Sequence, residues 1–138
     1  MRPHLALGTA IALGWTAAAI AQSHDAHGIA KPNLVLQQVV EGLPKDDKPS
    51  VRVMTASFKP GDKTVYHTHR FPVTVYVLEG AFTLELAGKA PLTVKAGEAL
   101  VEPPGVAMTG YNRTDGETRV VIFYVSAVDT PFLDPLSH

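Results

Sequence analysis

Apolar and polar residues alternate along this chain in short runs rather than recurring with a helical period. Residues 51–58 (VRVMTASF), 73–77 (VTVYV) and 82–86 (FTLEL) alternate, the last with Phe82, Leu84 and Leu86 on one side. Residues 119–126 (RVVIFYVS) form a near-continuous apolar run of strand length, and residues 34–40 are apolar and β-branched. A period of two places every second side chain on one face, so these runs predict strands with a buried side. Turn signals separate them: Pro60-Gly61-Asp62, Glu79-Gly80, Gly88 to Pro91, Ala96-Gly97, Pro103-Pro104-Gly105 and Asn112 to Gly116. No segment carries a sustained helical stripe with caps. Many short strands with regular turns predict an all-β sandwich or barrel. The proline-bearing tail, residues 129–138, is expected to cross the barrel as an extended strap.

The first residues follow another pattern. A short basic start (Arg2, His4) precedes an apolar run over residues 5–20 that closes on Ala19-Ile20-Ala21, a small-x-small sequence. This is the composition of a secretory signal peptide, with cleavage expected before Gln22. The alternative, a retained membrane anchor, needs a longer apolar span than this one. The expected organisation is a signal over residues 1–21, a polar arm over 22–33 and one domain over 34–138. The compartment implied is the bacterial periplasm or the medium, with no membrane attachment after cleavage.

Composition removes several kinds of chemistry. The chain has no cysteine, hence no disulfide, no thiolate nucleophile and no cysteine metal ligand. Its 12 Lys+Arg against 13 Asp+Glu leave a net charge of −1, with no basic stripe to recruit nucleic acid. No nucleophile elbow and no phosphate-cradling glycine loop occurs.

His67 and His69 are the informative pair. Two residues apart on a strand, they project from the same face, whereas on a helix they would diverge by about 200°. Neutral imidazole ligates divalent transition metals, so side-by-side histidines form a candidate metal site. Two strand histidines facing solvent, or bonded inside a barrel without metal, fit the spacing equally well.

The segment around them resembles the first motif of the cupin superfamily: a Gly, five residues, H-x-H, three or four residues, a Glu, six residues and a Gly. Gly61, His67, His69 and Gly80 fall in register with it. Gly97, Pro103, Gly105 and Asn112 match the second cupin motif in the same way. The resemblance implies a jelly-roll barrel of two antiparallel sheets (a double-stranded β-helix) and a metal held by two His and a Glu of the first motif and a His of the second. This chain departs at two of those four positions. The glutamate position holds Val73 and the second-motif histidine position holds Met108.

Three readings stay open. The barrel holds no metal, and takes an organic ligand or nothing. Alternatively His67, His69 and Met108 form a soft three-donor site, which favours copper over iron, manganese or zinc. In the third reading Glu102 supplies the missing carboxylate, since an acid before Pro103 is costly to bury without a partner such as a cation. Met108 as plain core packing and Glu102 turned outward at the rim are the alternatives to those roles. Arg70 and Tyr111 are candidate substrate-binding residues near the mouth; Phe71 and Pro72 would shape its rim. His24 and His27 have H-x-x-H spacing in the arm. The functional expectations are a barrel binding a transition metal or small molecule, a metal-dependent oxygenase or isomerase, and a sensory or structural barrel without chemistry. Pairing of family members through sheet edges implies a homodimer, with residues 34–40 as the edge element.

Overall fold

The structure, a computed structural model, describes residues 28–137. The expected signal over residues 1–21, His24, His27 and His138 lie outside the described residues. From Asn33 on, the described chain forms one compact unit. No helix occurs among the described residues, and the expected all-β architecture is present.

Among the described residues nine strands make two antiparallel sheets. They are β1 (Ser50–Phe58), β2 (His67–Thr68), β3 (Val73–Glu79), β4 (Ala81–Leu86), β5 (Leu92–Lys95), β6 (Ala99–Glu102), β7 (Met108–Tyr111), β8 (Thr118–Ser126) and β9 (Asp134–Pro135). The first sheet runs β1-β8-β3-β6 and the second β5-β4-β7-β2-β9. Consecutive elements alternate between the sheets except β4 and β5, which pair as a hairpin within the second.

Register decides which side chains meet. Across the first sheet Met54, Ile122, Val75 and Leu100 lie opposite one another in a single inward row. Val77 and Val120 extend this wall, and Phe82, Leu84, Val94 and Met108 face it from the second sheet. One further inward row runs Arg52, Tyr124, Val73, Glu102. That row is polar at its ends and lies at the mouth, where the histidines enter from β2.

The expected strand over residues 34–40 does not form. The chain there is extended, but among the described residues no backbone-to-backbone hydrogen bond involves residues 28–49, and pairing begins at Ser50. Alternation reports a preference for a buried face; a strand also needs a neighbouring backbone, and none is there. The strap forms as expected. Its last residues pair as β9 against β2, and Leu136 N–H donates to the Tyr66 carbonyl at 2.9 Å.

The turn glycines take the conformations their motif positions demand. Gly80, with φ at 74°, joins β3 to β4 where an added Cβ would lie 2.7 Å from the Glu117 carbonyl oxygen and 2.6 Å from Thr118 Oγ1. Gly88 has nearly the same φ, 75°, with open space around it. Gly88→Ala should therefore cost only the left-handed strain, about 1 kcal/mol. Gly80→Ala adds a backbone clash and should cost about 3 kcal/mol. Chemical denaturation of the two variants checks the difference, and equal losses would contradict this account of the turn.

Candidate metal centre

His67 and His69 enter the barrel from β2 and the residue just beyond it, both buried. Their rings meet edge to face, with centroids 4.6 Å apart. His67 Nδ1 lies 2.6 Å from the Val65 carbonyl oxygen, and His69 Nδ1 lies 2.6 Å from the Phe132 carbonyl oxygen. A carbonyl only accepts, so each Nδ1 carries a hydrogen and donates it. With Nδ1 so engaged, each ring turns Nε2 toward the interior. The two Nε2 atoms are 3.0 Å apart.

Glu102 completes the group. Its carboxylate oxygen Oε2 lies 3.0 Å from His69 Nε2, and the side chain is buried. The donor atoms of His67, His69 and Glu102 all lie within 4.8 Å of one another. Three acceptors thus converge in a water-poor place. Lone pairs at such separations repel unless a proton or a cation sits among them. Burial, the largest influence, pushes the His67 imidazole below the ordinary histidine value, against the opposing pull of its Val65 bond. The ring is neutral at neutral pH, the form that binds metal. Two imidazoles and one carboxylate, each imidazole fixed through its other nitrogen, are a donor set that suits zinc, iron, manganese or copper.

The position of Glu102 has a simple origin. In the ladder between β3 and β6 it lies directly opposite Val73. Opposed residues share a face with Cβ atoms about 5 Å apart. The carboxylate that the motif places on β3 is therefore supplied from the adjoining strand, at the paired position.

The site opens on a small cavity of ≈ 40 Å³, lined by His67, His69 and Glu102 together with apolar walls that include Phe82, Val120, Ile122 and Phe132. Phe132 and Leu133 of the strap close it, and the Phe132 ring lies tilted against His69 with centroids 4.9 Å apart. Such a space accepts an ion with one or two waters, well below the ~300 Å³ of a typical organic-ligand pocket.

The other candidates take different places. Met108 lies opposite His67 in the β2–β7 ladder, fully buried in the apolar cluster, and does not line the cavity. Arg70 points outward and grips the strap, its Nε and a terminal nitrogen each donating to Asp134 at 2.8 Å. Tyr111 lies on the outer side of the second sheet with the Arg113 guanidinium 4.5 Å above its ring. Neither is at the cavity. Asn112 of the second motif is structural, its amide nitrogen donating to the Phe58 and Gly116 carbonyls and its oxygen accepting from Thr114. Sequence reasoning missed the two carbonyls that orient the histidines and the strap's share in the site. Backbone acceptors carry no sequence signal.

A barrel of two antiparallel sheets with histidines and a carboxylate converging at one mouth is the architecture of a cupin. The family model described as Cupin domain (Cupin_2) matches residues 54–124, more than half of the chain, and the chain belongs to that family. A cupin-like protein from Thermotoga maritima is similar at 25% identity over 63% of this chain, with a TM-score of 0.53; the match spans 65% of that protein's length. An RmlC-like cupin from Methanocaldococcus jannaschii with a double-stranded β-helix fold matches at 17% identity over 66% of this chain and 92% of its own, with a TM-score of 0.53. A DMSP lyase from Ruegeria pomeroyi matches at 16% identity over 59% of this chain and 41% of its own, with a TM-score of 0.52. The last two likenesses show the fold alone. No curated protein matches the chain.

Arg70 holds the strap whose Phe132 carbonyl orients His69. The guanidinium hydrogen bonds, the largest influence, hold the Asp134 carboxyl below the ordinary aspartate value. The latch is therefore in place above that range and is lost as pH falls through the lowered value. Arg70→Ala should raise hydrogen exchange across residues 130–136 several-fold, while Arg113→Ala, which breaks a comparable exposed pair with Glu85, should leave the strap unchanged. Exchange mass spectrometry makes the comparison, and equal effects would show that Arg70 does not hold the strap.

Proposed function

We propose that this cupin holds a divalent transition-metal ion with His67, His69 and Glu102 and binds a small ligand at the positions the protein leaves open. The observation that carries the reading is the convergence of three buried acceptor atoms, two of them aimed by Nδ1 hydrogen bonds to backbone carbonyls. A carboxylate among the donors favours a divalent ion, whether copper, iron, manganese or zinc, over monovalent copper. The small cavity favours a ligand of a few atoms.

A second reading, a metal-dependent enzyme of the oxygenase or isomerase kind, gains from the same count of ligands. Three protein donors hold a metal firmly and leave positions for substrate, as catalytic sites do. The lyase named among the structural likenesses is a precedent for chemistry on this fold, and nothing in it assigns a substrate here. We further propose that the chain is exported, from its leader-like first residues, and that it works as a homodimer.

The test is metal analysis of untagged protein, followed by titration of the metal-free form with each of the four ions. Binding should be stoichiometric and should raise the melting temperature. His67→Ala and Glu102→Ala should each weaken it about 100-fold or more, and Met108→Leu should leave it unchanged. Val73→Glu in the Glu102→Val background should restore binding by returning the carboxylate to β3. A protein that takes up none of the ions sinks the reading; loss in Met108→Leu but not Glu102→Ala would transfer the third donor to sulfur.

A further inference from the structure

Four arginines lie among the described residues, and three of them face a carboxylate. Arg70 pairs with Asp134, Arg113 with Glu85, and Arg119 comes within 3.9 Å of Glu79. Arg52 has no such partner. It is the one charged residue of β1, turned inward, and a terminal nitrogen of its guanidinium donates to neutral oxygens, Ser126 Oγ at 3.0 Å and the Thr130 carbonyl at 2.8 Å. The acid of the same inward row, Glu102, stands three strands away across the sheet with its carboxylate on His69. A guanidinium drawn in from water without an anion has lost hydration that nothing replaces.

Its neighbour Tyr124 shows the same deficit. Tyr124 lies opposite Arg52 in the β1–β8 ladder, with the guanidinium carbon 4.8 Å from its ring centroid. The side chain is fully buried, packed against the rings of His69, Phe71 and Phe132. Among the described residues, the Tyr124 hydroxyl and Arg52 Nε are the buried side-chain polar atoms that no protein group meets. Both carry a hydrogen to donate, and their side chains are in contact. Buried polar groups are otherwise almost always paired, so two such donors side by side mark a place for an acceptor from outside. Arg52 as a whole is half-buried, which keeps the pair close to solvent.

We propose that Arg52 and Tyr124 form a binding site for a small carboxylate, beside the metal centre and at the root of the strap. A carboxylate is planar, matches the guanidinium fork and has a second oxygen to accept from the phenol. It also supplies the negative charge that Arg52 lacks. Neither Arg52 nor Tyr124 lines the metal cavity, so the site needs no metal. It bears on the metal centre through the strap. Arg52 holds Thr130, two residues before the Phe132 whose carbonyl accepts from His69, and the Phe132 ring touches both His69 and Tyr124.

The test uses metal-free protein labelled with 15N at arginine, so that acetate has no metal to bind. Acetate should shift the Arg52 Nε–H resonance saturably at millimolar concentration, while those of Arg113 and Arg119 do not saturate. The Arg52 signal is assigned by its loss in Arg52→Lys. Acetamide, of similar shape without the charge, should shift none of them. Tyr124→Phe should weaken acetate binding about 10-fold, the size of one hydrogen bond to a charged group. Without acetate this variant should melt no lower than the wild type, since the hydroxyl has no protein partner to lose. Acetate should raise the melting temperature of the wild type, and at the same concentration leave that of Arg52→Lys, which lacks the fork, unchanged. An Arg52 resonance that does not respond, or responds alike to acetamide, overturns the proposal. Acetate binding that Tyr124→Phe leaves unchanged does so too. A protein that takes up no metal yet binds acetate in this way sinks the metal reading and supports this one.

Discussion

Everything at the mouth of this barrel depends on the two bonds from histidine Nδ1 to backbone carbonyls. Once Val65 and Phe132 take those hydrogens, both Nε2 lone pairs face inward, 3.0 Å apart, with the Glu102 carboxylate beside them. The cost of this concentration of acceptors is borne by the apolar rows of both sheets that pack around it. The site is thus a preorganised one. Ligand orientation is fixed by backbone, which neither rotates nor titrates, and an arriving ion has little left to rearrange.

One of the two orienting carbonyls belongs to the strap. Phe132 supplies an acceptor to His69, a ring tilted against it and part of the cavity's closure. The strap itself is held from outside by the Arg70–Asp134 pair and by its ladder to β2, which also carries His67. Histidines, strap and latch therefore form one mechanical unit on the second sheet, and Glu102 reaches it from the first. The centre bridges the two sheets at the mouth.

Much of this was legible in the sequence. Alternation placed β1, β3, β4 and β8 within a residue or two, and the turn glycines named the junctions, because period two and positive φ are local demands. The short strands β2, β5, β6, β7 and β9 escaped, being too brief to show a period. The H-x-H spacing found two ligands. Glu102 stood as a candidate because a buried acid is expensive, but only register shows that it stands opposite Val73. Arg70 and Tyr111 looked like mouth residues by proximity in the chain. The structure sets one on the strap and the other on the outer sheet face, since residues close in sequence to a strand residue often face away from it.

The failed strand over residues 34–40 and the displaced carboxylate rest on the same physics. Side-chain pattern tells what a segment would bury; pairing decides where. Glu102 works because β6 pairs with β3 in a register that sets it across from Val73, and a slip of one residue would turn it to the outer face among the valines. Residues 33–41 carry a strand's side chains without a register, and so stay exposed. In a barrel this small, register separates a metal ligand from a surface acid and a sheet strand from a loose arm.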